Sequence, residues 1–583
     1  MLRIPRLREM AALGLALLTG LSAGACNQAA RSQASPTPVL SSTQTLSFPI
    51  RADFTTLDPA VIDTPADAQV AHNLFDGLVR LNDAMEVEAD IAAAMPDISS
   101  DGLTYTFKLR SDVTFSNGDK VTSKDVLYSW NRAAAIQGSY ATNLSAIAGY
   151  AAVSNNQAFG PSLESLLEKR DPSVTMSGLT APDAYTVVVR LSGPAGWFLQ
   201  AIAQPAVVGM IVDQNVVKSN FENWWANPAT LVGTGPYKMT AHTAGQSADF
   251  AAVPRWWGSP APTLMQVHLE IATSSAAAIS KYEQGGYDLY GYDGYGPAVD
   301  DVLRIQSSPK DRSQVLLRPG NATYWVSFNL VADASRAGGP FAVNLGTSAR
   351  DLRMAFDLAV DRTALAKQVC QELICVPATG GLIGNGLVGY LGSGADPLGA
   401  FDPARARALM DGVDPDRTKT RGLVYTYDPE NPLSGPTAQF LQSQWLANLG
   451  VTVGLQAVPH SSFIGLRLKG RFVLARDGWA ADYNHPQDWF DNLWGRIAGC
   501  PDTTCTTGYD TAAYDSLLAK ADAEPAAAAT DDYAALSHQL INDVVYLPLY
   551  YTQAVFLIKP YVKGAGANNL FDYPWDQIQI QSH

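Results

Sequence analysis

Alternation between apolar and polar residues predicts strands and capped helices in the first half of the chain. Residues 103–109 place an apolar side chain at every second position, which predicts a strand with one buried face. Thr122, followed three residues later by Asp125, predicts the capped start of the next helix. Upstream, F-T-T-L-D-P-A and H-N-L-F-D-G-L-V-R predict a strand, a turn and a helix that stops near Gly77.

The second half of the chain also alternates strands with helices of ordinary length. Residues 423–427 and 451–458 have the apolar content of strands, and residues 437–449 predict a helix that ends at Gly450. Alternation of this kind is typical of an α/β architecture.

Residues 473–486, V-L-A-R-D-G-W-A-A-D-Y-N-H-P, are the best candidate for a ligand site. Residues 473–475 predict a short strand, and charged and aromatic residues follow it, namely Arg476, Asp477, Trp479, Asp482 and Tyr483. A carboxylate buried without a counter-charge costs several kcal/mol or becomes protonated, so such a segment needs a cationic partner. The partner is either a ligand or an internal cation, and residue chemistry alone leaves both interpretations open.

The segment G-W-A-A-D-Y-N-H-P resembles the G-W-x-A-D-Y-N-x-P motif of oligopeptide-binding proteins that serve ABC importers, within the dipeptide, oligopeptide and nickel-binding family of solute-binding proteins. Further family motifs occur in the family's order: D-G-L-T-Y-T-F-K-L-R at 101–110, V-G-T-G-P-Y-K at 232–238, R-W-W-G at 255–258, Y-W-V-S-F-N at 324–329 and D-L-R-M-A-F-D-L-A-V-D-R at 351–362. An ordered series that runs from Leu46 almost to the C-terminus is more specific than any single motif.

The resemblance implies roles for individual residues. Asp482 would hold the α-amino group of a bound peptide, and Arg476 would bind its carboxylate. Backbone contacts would come from near Gly77 and Leu78 on one lobe and from near Trp479 and Ala480 on the other. The complete set of ligand-binding residues predicted in this way is Asp482, Arg476, Trp479, Ala480, Tyr483, Asn484, Gly77 and Leu78. One family member has a disulfide cysteine where this chain has Ala480, so any bridges here must lie elsewhere.

The resemblance also implies an α/β fold of the type II periplasmic-binding-protein-like class. Two lobes joined by two crossovers would enclose the ligand, and an additional α+β domain would extend the first lobe. The predicted boundaries are 1–26 for a lipoprotein signal peptide, 27–45 for a flexible tether, 46–82, 192–320 and 550–583 for lobe I, 83–191 for the extra domain and 321–549 for lobe II.

Composition and net charge limit the classes of binding partner that the chain can have. The chain has 583 residues, of which 47% are hydrophobic and 16% charged, so it has enough apolar material for several folded domains. Its net charge of −15 argues against a nucleic-acid partner, because phosphate binding needs basic grooves, and it favours cationic ligands.

The N-terminus has the pattern of an export signal. M-L-R-I-P-R-L-R-E-M is basic, and residues 10–23 are apolar but too short to span a bilayer comfortably. The sequence L-S-A-G-A-C resembles a bacterial lipobox, which implies that Cys26 is the lipidated N-terminus on the outer side of the cell membrane. The alternative is an ordinary signal peptide cleaved after Ala25, which would leave Cys26 as a free thiol.

With Cys26 at the lipid anchor, four of the five cysteines remain. This number is even, and an exported protein meets oxidising conditions that favour disulfides. Four cysteines allow three pairings, of which the local pairs Cys370 with Cys375 and Cys500 with Cys505 are preferred, because each spacing closes a small loop. A four-thiolate zinc site is the weaker alternative.

No catalytic motif is visible in the sequence. G-N-G-L-V-G at 384–389 matches the dinucleotide fingerprint by letter, but it lacks the preceding strand and following helix, and in the family such a glycine-rich loop borders the cleft. A secreted glycoside hydrolase stays an alternative, because 12 Trp, 24 Tyr and many carboxylates are enough to line a sugar cleft.

The sequence therefore predicts a monomeric extracytoplasmic lipoprotein that captures peptides and delivers them to a membrane ABC permease. It predicts no enzymatic activity, cofactor or metal. Within the family, a nickel-chelate, sugar or heme binder is the alternative.

Overall fold

The described residues form three larger β-sheets and two two-stranded ones, β2-β3 and β18-β19. The computed structural model describes residues 39–156, 160–203, 207–291, 296–331, 339–496, 498–499, 507–566 and 574–583. The strands are β1 (Thr45–Ile50), β2 (Val79–Leu81), β3 (Val87–Ala89), β4 (Asp97–Ile98), β5 (Thr104–Lys108), β6 (Leu179–Asp183), β7 (Thr186–Arg190), β8 (Tyr237–Thr243), β9 (Ser247–Ala252), β10 (Gln266–Ile271), β11 (Leu289–Tyr290), β12 (Val315–Phe328), β13 (Cys375–Pro377), β14 (Val424–Tyr427), β15 (Gly454–Ala457), β16 (Leu474–Ala480), β17 (Tyr546–Ile558), β18 (Val562–Lys563) and β19 (Gln579–Ile580).

Helices are the other regular elements of the described chain. They are α1 (Pro65–Ala71), α2 (Ser123–Ile136), α3 (Tyr150–Ser154), α4 (Gly160–Glu168), α5 (Phe198–Ile202), α6 (Gln214–Ser219), α7 (Ser275–Glu283), α8 (Val299–Ser307), α9 (Thr347–Leu358), α10 (Arg362–Val369), α11 (Pro403–Val413), α12 (Ser434–Leu449), α13 (His460–Leu468), α14 (Gln487–Leu493), α15 (Ala512–Ala523) and α16 (Ala526–Asp543). Among the described residues, no helix has both the length and the apolar character needed to cross a membrane.

The sheets have distinct strand orders. The first is β1-β10-β9-β8, with β1 parallel to β10, and the second is the antiparallel order β4-β5-β7-β6. The third is β11-β17-β12-β16-β14-β15, with β13 paired to β17. Tyr105 and Phe107 of β5 are buried, as the alternation predicts.

Two long strands, β12 and β17, pair antiparallel and join the parts of the chain assigned to different lobes. The predicted lobe boundaries at 320/321 and 549/550 both fall inside these strands. The pairing register shifts between Pro319 and Thr323, beside the first boundary. A register shift bends a strand locally, so this irregularity suits a crossover between two lobes.

Local signals predicted several helix ends correctly. Thr122 and Asp125 form a capping box at the start of α2, and Gly450 ends α12 with a φ of 71°. The helix predicted to stop near Gly77 instead ends at Ala71. There, Asn73 is held by other segments, because its backbone carbonyl accepts from the Tyr237 N–H at 3.0 Å and its side-chain Oδ1 accepts from the Trp575 N–H at 2.8 Å.

The last residues of the predicted tether belong to the fold. Leu40 forms an isolated bridge with Gln581, and the Ser41 N–H donates to the Ile580 carbonyl at 2.8 Å. Residues 1–38, which include Cys26, lie outside the described residues.

Candidate functional site

Strand β16 carries three of the eight predicted ligand residues, Arg476, Trp479 and Ala480. It is longer than predicted, because it pairs with β12 through Ala480. Since side chains alternate across a strand, Arg476 and Ala480 point to one face, and Asp477 and Trp479 point to the other. The Arg476 guanidinium lies over the Tyr324 ring, 4.6 Å from its centroid, and the side chain is half-buried. Within the described part of the chain, it has no ion-pair partner.

An internal cation, one of the two partners that the sequence allows for a buried carboxylate in this segment, is present at Asp477. This residue is fully buried, and its carboxylate pairs with the Arg467 guanidinium at 2.5 Å. The Ser327 hydroxyl donates to the same carboxylate at 2.6 Å. Asp477 is therefore a structural residue.

Asp482 is in a different position. It follows β16, is half-buried, and donates its backbone N–H to Oδ2 of Asp488 at 3.0 Å. No lysine, arginine or histidine of the described residues pairs with its carboxyl group, so the pairing with Arg476 that the sequence allowed is not formed. Although some of the residue keeps solvent contact, its carboxyl is largely surrounded by protein atoms, and this burial raises its pKa to about 6.

Asp488 supports the Asp482 segment from α14. Its carboxylate accepts from the Trp479 indole N–H at 3.0 Å and from the Asp482 backbone N–H. Burial, followed by the negative charge of Asp482, raises the pKa of Asp488 well above its ordinary value. The site therefore brings two carboxyl groups together in a poorly solvated place, which favours a bound cation.

A second pair of buried carboxyl groups continues from this point. Gln487 accepts from the Tyr483 hydroxyl and donates to Asp491. Asp491 contacts the carboxyl of Asp522, which also accepts from the Tyr533 hydroxyl at 2.6 Å. Burial raises the pKa of both carboxyls, that of Asp522 to about 6, so a shared proton accounts for their contact.

Residues from the predicted lobe I and from the predicted extra domain reach the same place. Trp197 stacks on Tyr483 with ring centroids 6.4 Å apart, and the Gly196 N–H donates to the Asp522 carbonyl at 2.9 Å. Burial and the nearby charge of Asp482 raise the pKa of Tyr140 to about 12. Sequence reasoning missed Tyr140 and Trp197, because neither stands in a motif that sets it apart from a core aromatic.

Tyr483 and Asn484 act from within the protein. Tyr483 is 4% exposed and Asn484 2% exposed. Oδ1 of Asn484 accepts from the Val388 N–H at 2.8 Å, in the glycine-rich loop at 384–389. Gly389 in that loop has a φ of 98° and packs against Pro486. The polar atoms of both residues are thus hydrogen-bonded within the loop around Asp482, and their contact with a ligand stays a prediction.

Gly77 and Leu78 are hydrogen-bonded to the segment at 90–92. The Gly77 carbonyl accepts from the Ile91 N–H, and the Leu78 carbonyl accepts from the N–H groups of Asp90 and Ala92, each at 3.1 Å. The Gly77 N–H donates to the Asp90 carboxyl, and the Leu78 side chain is fully buried. Their contact with a ligand stays a prediction, and the backbone carbonyls of both residues already accept hydrogen bonds within the protein.

The structure contains the disulfide predicted between Cys370 and Cys375, which links the end of α10 to β13. These sulfurs are therefore unavailable to the alternative zinc site. Cys500 and Cys505 lie outside the described residues. Among the residues that are described, no three His, Cys, Asp or Glu side chains converge in a way that would hold a metal ion.

Comparisons with known proteins agree with this architecture. A family model described as bacterial extracellular solute-binding proteins, family 5, middle region, matches residues 86–498. The periplasmic murein peptide-binding protein MppA of Escherichia coli is 26% identical over 572 residues, which cover 92% of this chain and 93% of that protein. The periplasmic oligopeptide-binding protein OppA of Salmonella typhimurium is 25% identical over 561 residues, 93% of each chain.

Solved structures extend the likeness to the fold. The unliganded open form of MppA matches with a TM-score of 0.77 at 24% identity, over 94% of this chain and 99% of that one. The predicted fold, a type II periplasmic-binding-protein-like α/β architecture with more than one domain, is confirmed.

Proposed function

The chain belongs to family 5 of the bacterial extracellular solute-binding proteins, and from that premise we propose that it captures oligopeptides outside the cytoplasm and delivers them to an ABC importer. The family and the relatives named above consist of binding proteins, so the glycoside hydrolase alternative has no support. The names of those relatives favour peptides over the nickel-chelate, sugar and heme alternatives.

The observation that carries the proposal is the Asp482 carboxyl, which is poorly solvated and has no cationic partner among the described residues. A peptide's α-ammonium group supplies the missing positive charge and the hydrogen-bond donors. The ionised form of Asp482, disfavoured in the ligand-free protein, is then stabilised by a charge-assisted hydrogen bond. Asp488 contributes by holding the backbone of Asp482 and the ring of Trp479 in place.

Arg476 is the proposed partner of the peptide carboxylate. Its guanidinium is held over the Tyr324 ring, so its position is fixed before a ligand arrives. A fixed ammonium site at Asp482 and a fixed carboxylate site at Arg476 would favour peptides of one length. Between them in the sequence, Ala480 is exposed at the end of β16 and is the proposed place for strand-like hydrogen bonds to a peptide.

The proposed lobes follow the sheets. Lobe I would contain the first sheet, lobe II most of the third, and the extra domain the second, with β12 and β17 as crossovers. The ligand would be enclosed where Trp197 and Tyr140 face the Asp482 segment. We further propose that Cys26 carries the lipid that keeps the protein at the membrane and that Cys500 pairs with Cys505.

Titration calorimetry with tri- to pentapeptides tests the ligand class. Each peptide is used in four forms, with the N-terminus free or acetylated and the C-terminus free or amidated. Tight binding of the free form and a large loss on acetylation are expected, because acetylation removes the ammonium. A loss on amidation that appears at only one peptide length would support the role of Arg476. Equal affinity for free and acetylated peptides would refute the proposed site, and no binding of any peptide would refute the ligand class.

A further inference from the structure

A large cavity lies on the lobe I side of the described chain. Its volume is about 920 Å³, within the range of small-molecule sites. The described residues that line it come from four stretches, 72–90, 202–210, 236–263 and 564–579. None of them belongs to residues 321–549, which contain the Asp482 segment, although Gly77, one of the predicted ligand residues, is part of this lining.

Carboxyl groups dominate the charged side chains of the cavity wall. Its described lining contains five carboxylates, those of Asp76, Asp83, Glu88, Asp90 and Asp576. The guanidinium in the same lining is that of Arg80, whose Nε pairs with Glu88 at 2.8 Å. The positive charge of Arg80 also acts on Asp90 and Asp76 and favours their ionised forms, but one guanidinium balances at most one of the five carboxyl groups.

Two of these carboxyl groups are buried. The Asp76 carboxyl accepts from the Thr234 hydroxyl, but its Oδ2 has less than 1 Å² of accessible surface and no hydrogen-bond donor. Asp90 is 7% exposed and accepts from the Gly77 N–H. Burial raises the pKa of both groups, that of Asp90 to about 7, and the charge of Asp90 adds to the effect on Asp76. A buried carboxyl oxygen without a donor is the kind of group that a ligand completes.

Apolar and aromatic side chains form the rest of the wall. Trp256 lines the cavity, and its indole N–H donates to the Thr234 carbonyl at 2.9 Å, which fixes the ring beside the residue that also holds Asp76. Phe75, Met85 and Met210 line the same space. Carboxylates next to an aromatic face suit the recognition of organic cations, because the carboxylate and the ring face both attract positive charge.

We propose that this cavity binds a small organic cation, an alkylammonium or guanidinium compound, independently of the ligand held at Asp482. The apolar wall would accommodate the carbon chain of the ligand, and its charged end would meet Asp76 and Asp90. A bare metal ion fits less well, because no three metal-ligating side chains converge among the described residues, and the volume far exceeds that of one ion. Anionic ligands are disfavoured by the five carboxylates.

Calorimetry with three named probes tests this site on the full chain. The probes are 1,5-diaminopentane, agmatine and, as the uncharged match, 1,5-pentanediol. The wild type should bind at least one of the two cations and not the diol. Asp90→Asn keeps the shape of the side chain and removes its charge, and it should weaken cation binding by about 30-fold or more. Asp482→Asn should leave cation binding unchanged.

The proposal is overturned if neither cation binds the wild type, if Asp90→Asn binds as tightly as the wild type, or if Asp482→Asn abolishes the binding. Should Asp90→Asn fail to fold, Trp256→Leu removes the aromatic wall without touching a buried carboxyl. Weaker cation binding by that variant supports the site, and unchanged binding contradicts it. Intrinsic fluorescence provides a second signal, because a cation beside Trp256 alters its emission in the wild type.

Discussion

Asp482→Asn separates a ligand carboxylate from a structural one. In the ligand-free protein, the Asp482 carboxyl has no cationic partner within the described residues, and the buried carboxyl of Asp488 accepts from its backbone N–H. Asparagine keeps the size of the side chain and removes only its charge. The substitution should therefore leave the ligand-free fold intact and weaken peptide binding.

The effect on stability follows from the pKa of Asp482. The rise of the Asp482 pKa from 3.8 to about 6 corresponds to a free energy of about 3 kcal/mol, because each pKa unit equals about 1.4 kcal/mol. Because the half-buried residue keeps some solvent contact, its effect on the free energy of unfolding is smaller, about 1–3 kcal/mol. Because the folded state binds the proton more tightly, stability is lost as the pH rises from about 4 to 6 and stays lost above that. At pH 7, Asp482→Asn should therefore unfold at equal or higher urea concentration than the wild type, and at pH 4 the difference should vanish.

The effect on binding has the opposite sign. Removal of one partner from a desolvated charge pair costs about 2–5 kcal/mol, or about 30-fold to several thousand-fold in affinity. Calorimetry at pH 7 with free and N-acetylated peptides measures this loss, and acetylation should matter little to the variant. Asp531→Asn, an exposed change on α16, is the matched control and should behave as the wild type.

Two results would refute this reasoning. If Asp482→Asn binds free peptides as tightly as the wild type, Asp482 does not receive the ammonium group. If the ligand-free variant is clearly less stable at pH 7, Asp482 has an internal cationic partner, and the carboxyl is structural.

Three further predictions concern stability and processing. The Asp58 carboxylate accepts two hydrogen bonds from the Arg132 guanidinium, at 2.8 and 2.5 Å, and both side chains are buried. Asp58→Ala should therefore lower the free energy of unfolding by about 3–5 kcal/mol in urea titrations. A loss below about 1 kcal/mol would contradict this. Peptide mapping without reduction should recover Cys370 linked to Cys375, a short-loop bridge whose reduction should cost toward the lower end of about 2–4 kcal/mol. Labelling with a fatty-acid analogue should mark the wild type and not Cys26→Ser, and an unchanged label would remove the lipid anchor.

Local patterns predicted those parts of the fold that local interactions determine. The strand at β5, the cap at Thr122 and the helix end at Gly450 each depend on residues a few positions apart. The predicted end of α1 near Gly77 is wrong, because Asn73 forms hydrogen bonds with segments more than a hundred residues away in the sequence. Strand β16 was predicted too short for a similar reason, since its pairing with β12 extends it through charged residues.

The candidate site was located by its motif, but its chemistry depends on neighbours that the motif does not contain. Asp488 and Asp522 reach the region from α14 and α15, and Trp197 and Tyr140 reach it from a distant part of the chain. Each lies in an unremarkable local sequence. A single sequence gives the order of residues and not their distances, so these contacts were beyond prediction.

The contrast between Asp477 and Asp482 explains how one segment serves both stability and binding. Asp477 points inward from β16, where Arg467 neutralises it permanently. A ligand that used Asp477 would have to break this ion pair and strand a guanidinium, at a cost of about 3–5 kcal/mol. Asp482, beyond the end of the strand, has no such pair to break, so its unfavourable desolvation is already present before binding. An arriving ammonium therefore relieves an existing cost instead of creating a new one, and this favours Asp482 as the residue that selects the charged end of the ligand.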